Sequence, residues 1–244
     1  MIATAVPEPL YLPPLFTLHR VARGAFDAAC SEAGTAGAGA LFVEERPGVL
    51  GLAVVLEPEE PLAAARRAFM VGMAAMTDAL VALCLPERSV RIGWPDVLVY
   101  DTGRIGGGRL AWEAVEETAV PGWLVFGVEL IADRDDLAEP GRYPETVSLK
   151  EEDFGENREI VESFARNLML RMDLLGTQGF DAAADGYLSR LIPEAEGAAH
   201  AIGPTGDLVV LEGGRVAARP LVPALAPEAV EARWRDAARG GPRL

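Results

Sequence analysis

The sequence predicts an α+β fold: a mixed, largely antiparallel sheet flanked by helices, followed by a small C-terminal β appendage. Strand-like segments cluster in the middle of the 244-residue chain, and strongly periodic helical segments lie before and after them. Short turns join neighbouring strands, which favours antiparallel pairing. We therefore predict a core domain at residues 1–195, and an appendage made of a β-hairpin and a terminal helix at residues 196–244.

The first 56 residues predict an arm, a helix and a hairpin. Four prolines favour an extended conformation for residues 1–18, because proline fixes φ and lacks the N–H donor. Residues 26–33 predict a short helix that ends at a glycine-rich stretch. Residues 40–43 and 49–56 are typical of two strands, and the short turn at 44–48 makes a hairpin of them.

The middle of the chain predicts one helix and then a block of strands. Apolar residues at three- and four-residue steps predict a long helix over residues 61–85, which Pro86 ends. Strands are predicted at residues 97–100, 109–115 and 123–131. This block supplies most of the predicted sheet.

The last third returns to helices before a small β unit. Helices are predicted at residues 159–178 and 180–192, the first with a strong apolar stripe. Residues 208–211 and 215–218 predict a hairpin, because the two glycines between them suit a two-residue turn. A terminal helix is predicted over residues 227–239.

Composition excludes several classes of function. The chain has 22 basic and 37 acidic residues, which gives a formal net charge of −15 and a pI near 4.6. Phosphate binding needs clustered lysine and arginine, so we predict no nucleic-acid partner. No apolar stretch reaches the ~18 residues of a membrane span, and no basic segment precedes an apolar run. With only two cysteines, we expect a cytoplasmic protein without a disulfide framework.

A glycine-rich run gives the strongest signal for a binding site. Three successive glycines lie between two arginines in a strand context, shortly after a Trp-Pro-Asp segment. Exposed backbone N–H groups beside arginine can bind a carboxylate or phosphate. The alternative interpretation of the run is a glycine-rich bulge or turn without a ligand. For Trp94, the alternative to a ligand contact is a buried position in the core. The predicted ligand-binding residues are Trp94, Asp96, Arg104, Gly106, Gly107, Gly108 and Arg109.

The other chemically versatile side chains predict no catalytic group. His19 and His200 lie far apart without carboxylates at metal-ligand spacing, so no metal site is predicted. Cys30 and Cys84 lie in helical segments and are predicted to be structural thiols. Lys150, the only lysine in the chain, lies among acidic residues. The catalytic residues are therefore left unassigned.

Four motifs in register resemble the biotin/lipoate protein ligase family. Residues 93–99 are similar to its Lys-Trp-Pro-Asn-Asp strand. Residues 103–107 are similar to its Gly-Arg-Lys-x-x-Gly turn, and residues 123–130 to its Gly-Ile-Gly-Ile-Asn strand. Residues 145–152 resemble its Thr-Ser-Leu-x-x-Glu stretch. Residues 203–220 resemble the small β appendage that follows the ligase core. The resemblance spans roughly residues 20–220 and implies the ligase fold.

The resemblance implies a reaction that this sequence is poorly equipped to perform. The family joins a biotin or lipoate carboxylate to ATP and passes the acyl group to a carrier-domain lysine. Bringing two anions together needs cationic groups. In this chain Ile105 stands at the position of the catalytic lysine, and Gly93 replaces the lysine before Trp-Pro. Residues 44–48, with Arg46 beside two glutamates, replace the basic glycine-rich loop.

Two functional hypotheses follow from these departures. The first is a protein that binds a small carboxylic-acid cofactor, or a carrier protein, without ATP-dependent adenylation. The alternative is an active, divergent biotin, lipoate or octanoyl ligase or transferase, in which Arg104 and Arg109 supply the missing charge. Arginine does not readily replace a lysine point charge, which favours the first hypothesis. By resemblance, a biotin- or lipoate-like acid and ATP are the candidate cofactors, and an acyl-carrier domain is a candidate partner.

Overall fold

A seven-stranded sheet forms the centre of the molecule in the computed structural model, which describes residues 9–137, 139–195 and 197–244. The strand order is β1-β2-β3-β7-β6-β5-β4, and only the β1–β2 pair is parallel. This arrangement confirms the predicted α+β class with a largely antiparallel sheet. The strands are β1 Thr17–Val21, β2 Ala40–Arg46, β3 Val49–Leu56, β4 Val90–Gly93, β5 Val97–Tyr100, β6 Gly103–Trp112 and β7 Leu124–Ile131.

Helices cover both faces of the sheet. Helix α1 (Ala25–Ala36) packs on one face, where Phe26 and Ala29 meet β2, β3 and β7. On the other face the main apolar core forms between the sheet and three further helices, α3 Ala68–Val81, α4 Asn157–Gln178 and α5 Phe180–Leu188. The short helix α2 (Leu62–Ala65) packs on Leu124 in a separate small cluster. The face that carries α1 is therefore covered only in part by helix.

The C-terminal residues fill the rest of that face. Strands β8 (Ala199–Ile202), β9 (Leu208–Glu212) and β10 (Arg215–Arg219) form a separate antiparallel sheet, which confirms the predicted hairpin and small β appendage. Residues 221–243, which we call the C-terminal strap, then return to the main sheet. The strap contains α6 Leu221–Ala224, α7 Pro227–Arg233, β11 Arg235–Asp236 and β12 Gly241–Pro242.

Several elements differ from the sequence-based expectations. The helix predicted over residues 61–85 is interrupted at Arg66, whose guanidinium binds Glu117 and stacks on the Trp112 ring. The strand predicted at 109–115 begins earlier, at Gly103, because β5 and β7 pair with the glycine run on both sides. Further differences are the strands that the sequence patterns do not predict, which are β1, β4, β8, β11 and β12. Residues 1–8 of the predicted arm lie outside the described residues.

The terminal helix is shorter than predicted, and this difference shapes the site. Helix α7 ends at Arg233 rather than at residue 239, because Trp234 leaves helical geometry with φ −146° and inserts its indole against the sheet. Trp234 is fully buried. The strap is therefore anchored at its centre by an aromatic side chain.

Candidate functional site

The glycine run is the middle of strand β6, where each glycine allows a close approach by the chain itself. A β-bulge lies opposite Leu98 and Val99, with Ile105 as the extra residue on β6. A methyl group on Gly107 would overlap the Trp234 indole, one on Gly108 would meet the Met73 sulfur, and one on Gly106 would strike the Glu129 carbonyl. Intramolecular packing thus explains these glycines.

Gly107 offers a direct test of this packing. We expect Gly107→Ala to lower the free energy of unfolding by about 1–3 kcal/mol, because the new methyl group overpacks a rigid indole. Gly108→Ala is the matched control, with a smaller expected effect because a flexible methionine end can move aside. Urea denaturation measures both. In a Trp234→Leu background Gly107→Ala should become nearly neutral, and full additivity would contradict the proposed contact.

Asp96 holds the strap through three charge-assisted hydrogen bonds. Arg233 donates from Nε to Oδ1 at 2.8 Å and from Nη2 to Oδ2 at 2.7 Å, and the Trp234 indole donates to Oδ2 at 3.0 Å. The Asp96 side chain is completely buried. Burial raises the pKa of this carboxyl, and the bonds from Arg233 and Trp234 oppose the shift. The motif aspartate is therefore occupied by the chain's own C-terminal residues.

Glu129 forms the second junction between the sheet and the strap. Its carboxylate accepts hydrogen bonds from Arg235 Nε at 3.0 Å and from Arg109 Nη1 at 3.2 Å. The Arg109 guanidinium also lies over the Phe26 ring, 4.0 Å from its centroid. Two guanidinium groups thus share one buried carboxylate, and several of their N–H donors remain unused by it.

Arg104 and Ile105 have different environments despite being neighbours. Arg104 Nη2 donates to the carbonyl oxygen of Arg243 at 3.0 Å, which ties the end of the strap to β6. Burial lowers the pKa of Arg104 from its ordinary value. Ile105 is fully buried within the apolar core that includes residues of α3 and α4. The position that the resemblance aligns with the family's catalytic lysine is therefore part of the apolar core.

The β2–β3 hairpin directs its arginine toward the strap as well. Arg46 Nε donates to Glu44 at 2.6 Å, and its Nη2 donates to the Gly240 carbonyl at 2.7 Å. Glu44 also accepts the backbone N–H of Gly24 at 2.6 Å, at the start of α1. The one basic residue of this turn is thus engaged in holding the strap and α1 in place.

A cleft of about 420 Å³ remains between β6 and the strap. Arg109 is the only predicted site residue among its lining side chains, while Trp94 contacts the Tyr187 ring of α5, 6.2 Å between centroids. The sequence analysis did not predict the lining residues that the strap contributes. The Arg-Trp-Arg run at residues 233–235 could have indicated them, because it places two cations beside an aromatic side chain. The cleft is lined by Phe26, Arg109, Leu110, Ala111, Trp112, Val222, Leu225, Ala226, Pro227, Val230, Glu231 and Arg235.

Comparison with known proteins identifies the family. A model of the biotin/lipoate A/B protein ligase family matches residues 12–189, well over half of the chain. The chain belongs to this family. The comparison with curated proteins gives no match.

Solved structures of biotin protein ligases share the fold. A biotin protein ligase-like protein of unknown function from a Silicibacter species superposes with a TM-score of 0.71 at 25% identity, covering 89% of this chain and 100% of that chain. A biotin protein ligase variant from Aquifex aeolicus in complex with biotin gives 0.63 at 12% identity, covering 85% and 97%. The same enzyme in complex with biotin and ATP gives 0.60 at 12% identity, covering 84% and 95%.

This member of the biotin/lipoate ligase family carries no activated cysteine among the described residues. Burial raises the pKa of the Cys30 thiol to about 11, although nearby Arg109 opposes the shift. Burial also raises the pKa of Cys84. Both thiols are therefore protonated at neutral pH, whereas acyl transfer through cysteine needs the thiolate.

Three further features of this family member concern its single lysine, metal binding and membrane spans. Lys150 lies on the surface with its ammonium group 2.5 Å from Asp135. Over the described ranges, no group of three or more histidine, cysteine, aspartate or glutamate side chains is placed to hold a metal ion. Within the same part of the chain, no helix has the length and apolar character that crossing a bilayer requires.

Proposed function

We propose that this chain is a non-adenylating member of the biotin/lipoate ligase family that binds a small carboxylic acid in the cleft between β6 and the strap. The observation that carries the proposal is the strap itself. Its Trp234 occupies the space above Gly107, and its Arg233 neutralises Asp96. Residues that resemble the family's ligand site bind the chain's own C-terminal segment instead.

The electrostatics of this face support the loss of adenylation. Attack of a carboxylate on a phosphate requires cations that are free to contact both anions. Arg46, Arg109 and Arg235 are each already paired with a buried glutamate at 2.6–3.2 Å, so they supply too little net positive charge to hold a carboxylate and a phosphate together. Ile105 supplies no charge at the lysine position. The loss of one such cation commonly raises the barrier by about 3–4 kcal/mol.

The cleft still suits a small amphipathic acid. Its volume of about 420 Å³ is in the range of small-molecule sites, and most of its lining side chains are apolar. Arg109 and Arg235 meet at Glu129, and Arg109 also reaches Asp27 at 3.4 Å. The two guanidinium groups carry more N–H donors than these contacts use, so donors remain for the carboxylate of a ligand. We place the ligand's apolar tail against Phe26, Leu225 and Val230, and its carboxylate at the two arginines. In this proposal Asp96, Arg104 and the glycines of β6 position the strap and do not contact the ligand.

Two assays on the full chain test the two halves of the proposal. Calorimetry with biotin, lipoate and octanoate should show binding of at least one acid. The same acids with ATP should give no pyrophosphate release. Pyrophosphate production with any of them would establish the alternative, a divergent ligase or transferase. Failure of all three acids to bind would remove the cleft as a site for such acids.

Arg235 is expected to control affinity for the acid. Arg235→Gln should weaken binding by about tenfold or more, because it removes a charge-assisted hydrogen bond to the carboxylate. Val222→Glu, at the cleft wall, should also weaken binding through repulsion and reduced space. Arg219→Gln is the matched control, since that exposed side chain pairs with Glu194 on the appendage. Equal affinity in Arg235→Gln and Arg219→Gln would contradict the assigned carboxylate position.

A further inference from the structure

An apolar groove that shares no lining residue with the strap cleft lies along α4. It consists of two adjoining depressions of about 570 Å³ and 500 Å³ that share Leu56 and Met172 as lining residues. One wall is the C-terminal half of α4. The other is formed by the end of β3 and by the segments that precede β1, β2 and α2. Leu15 and Leu170, both lining the larger depression, are 69% and 62% exposed. Adjacent leucines this exposed are typical of an interaction surface.

Carboxylates surround this apolar groove. Glu57, Glu59 and Asp173 line it, are exposed, and have no cationic partner among the contacts of the described residues. Arg67 is the one basic residue of the lining, and its guanidinium is bound to Glu60 at 2.7 Å and stacked on the Phe180 ring. The groove therefore presents an apolar floor with three unpaired negative charges at its margin.

We propose that this groove binds a positively charged amphipathic helix of a partner protein. The apolar face of such a helix would contact Leu15, Leu56, Leu170 and Met172, and its lysines or arginines would pair with the marginal carboxylates. The net charge of −15 extends the attraction beyond the groove. This surface is independent of the strap cleft, so the acid-binding proposal can fail without affecting it.

Charge also separates this occupant from the alternatives. Two copies meeting at this groove would bring their unpaired carboxylates together, and each copy carries a net charge of −15. Like charges placed opposite each other oppose such an association. The chain's own residues 1–8 contain one acidic residue and no basic residue, so they lack the complementary charge.

Fluorescence anisotropy with a labelled amphipathic leucine-lysine helix tests the surface. Leu170→Glu should weaken peptide binding by about tenfold or more, because it places a carboxylate in the apolar contact. Val216→Glu is the matched control, since Val216 is 70% exposed on the appendage and the substitution makes the same charge change. A peptide of identical composition, scrambled to remove its apolar face, should bind at least about tenfold more weakly than the amphipathic peptide.

Each contrary outcome overturns the proposal. Equal binding of the scrambled peptide, or equal affinities in Leu170→Glu and Val216→Glu, would reduce the interaction to general charge attraction. Sedimentation that shows a dimer disrupted by Leu170→Glu would assign the groove to a second copy. A gain of about tenfold in peptide affinity after removal of residues 2–8 would assign it to the chain's own N-terminus.

Discussion

Arg233→Met is expected to lower the free energy of unfolding by about 3–5 kcal/mol at pH above neutrality. The substitution leaves the Asp96 carboxylate buried with one remaining side-chain donor, the Trp234 indole, and removal of one partner of a buried ion pair commonly has this effect. Methionine keeps much of the apolar stem of arginine, so the packing loss is small. Urea denaturation at about pH 8 measures the change.

The deficit should depend on pH with a definite sign. Burial already raises the pKa of Asp96 in the folded protein, and loss of Arg233 removes a group that opposes the shift. A carboxyl whose pKa is higher in the folded than in the unfolded state binds more protons when folded. The raised pKa of the folded state therefore leaves the free energy of unfolding unchanged at pH values below the unfolded pKa. The free energy of unfolding then falls as pH rises from the unfolded pKa through the folded pKa. The deficit should therefore be smaller at about pH 5 than at about pH 8.

The control for this prediction is Arg219→Met on the appendage. The Arg219–Glu194 pair is largely exposed, and such pairs contribute little to stability. Its unfolding midpoint should match that of the unchanged protein at both pH values. A deficit in Arg233→Met that is the same at both pH values would show that lost packing, and not the charge of Asp96, causes the effect.

Local sequence signals were sufficient for two hairpins, one in the main sheet and one in the appendage. The β2–β3 hairpin and the β9–β10 hairpin were predictable because both partners are joined by a few residues with clear turn chemistry. Gly213 and Gly214 both adopt positive φ, as the two-residue turn requires. Strand β1 gave no comparable signal, because it is a short edge strand and pairs in parallel with β2 across the whole of α1.

The sequence points to one side of the candidate site only. Positions from 94 to 109 attract attention because glycines and arginines stand out within a strand pattern. The partners of Asp96, Arg104 and Gly107 lie more than a hundred residues away in the strap. There Arg233, Trp234 and Arg235 continue a helical pattern in the sequence. Helix α7 ends there because Trp234 packs on Gly107 and binds Asp96, and these contacts are invisible to local periodicity.

These contacts give the glycine run a structural role in packing the strap. Successive glycines in a strand leave the backbone accessible to any group that can approach it closely, whether a ligand or a tryptophan side chain. Trp234 belongs to the same polypeptide as the strand, so its effective concentration at Gly107 is high. An external ligand would have to compete with it. For this reason the proposed function places the small-molecule site further along β6, in the cleft at Arg109.

Restoring a lysine at position 105 is expected to destabilise the protein without creating a ligase. Ile105 is fully buried in the core between the sheet and its helices, so Ile105→Lys places an unpaired ammonium group among apolar side chains. We expect a loss of about 3–5 kcal/mol in the free energy of unfolding at about pH 7. Pyrophosphate release with ATP and biotin, lipoate or octanoate should remain undetectable in the variant.

The comparison variant Ile105→Met separates charge from shape. Methionine resembles the lysine stem without its charge, so the expected loss is below about 1.5 kcal/mol. Burial lowers the pKa of a lysine, so the Ile105→Lys deficit should shrink as pH rises toward 9 or so, while that of Ile105→Met stays constant. A stable Ile105→Lys variant that releases pyrophosphate would show that residue 105 reaches the ligand face. The core position assigned to Ile105 would then be wrong, and the absence of a cation at this position would no longer explain a loss of adenylation.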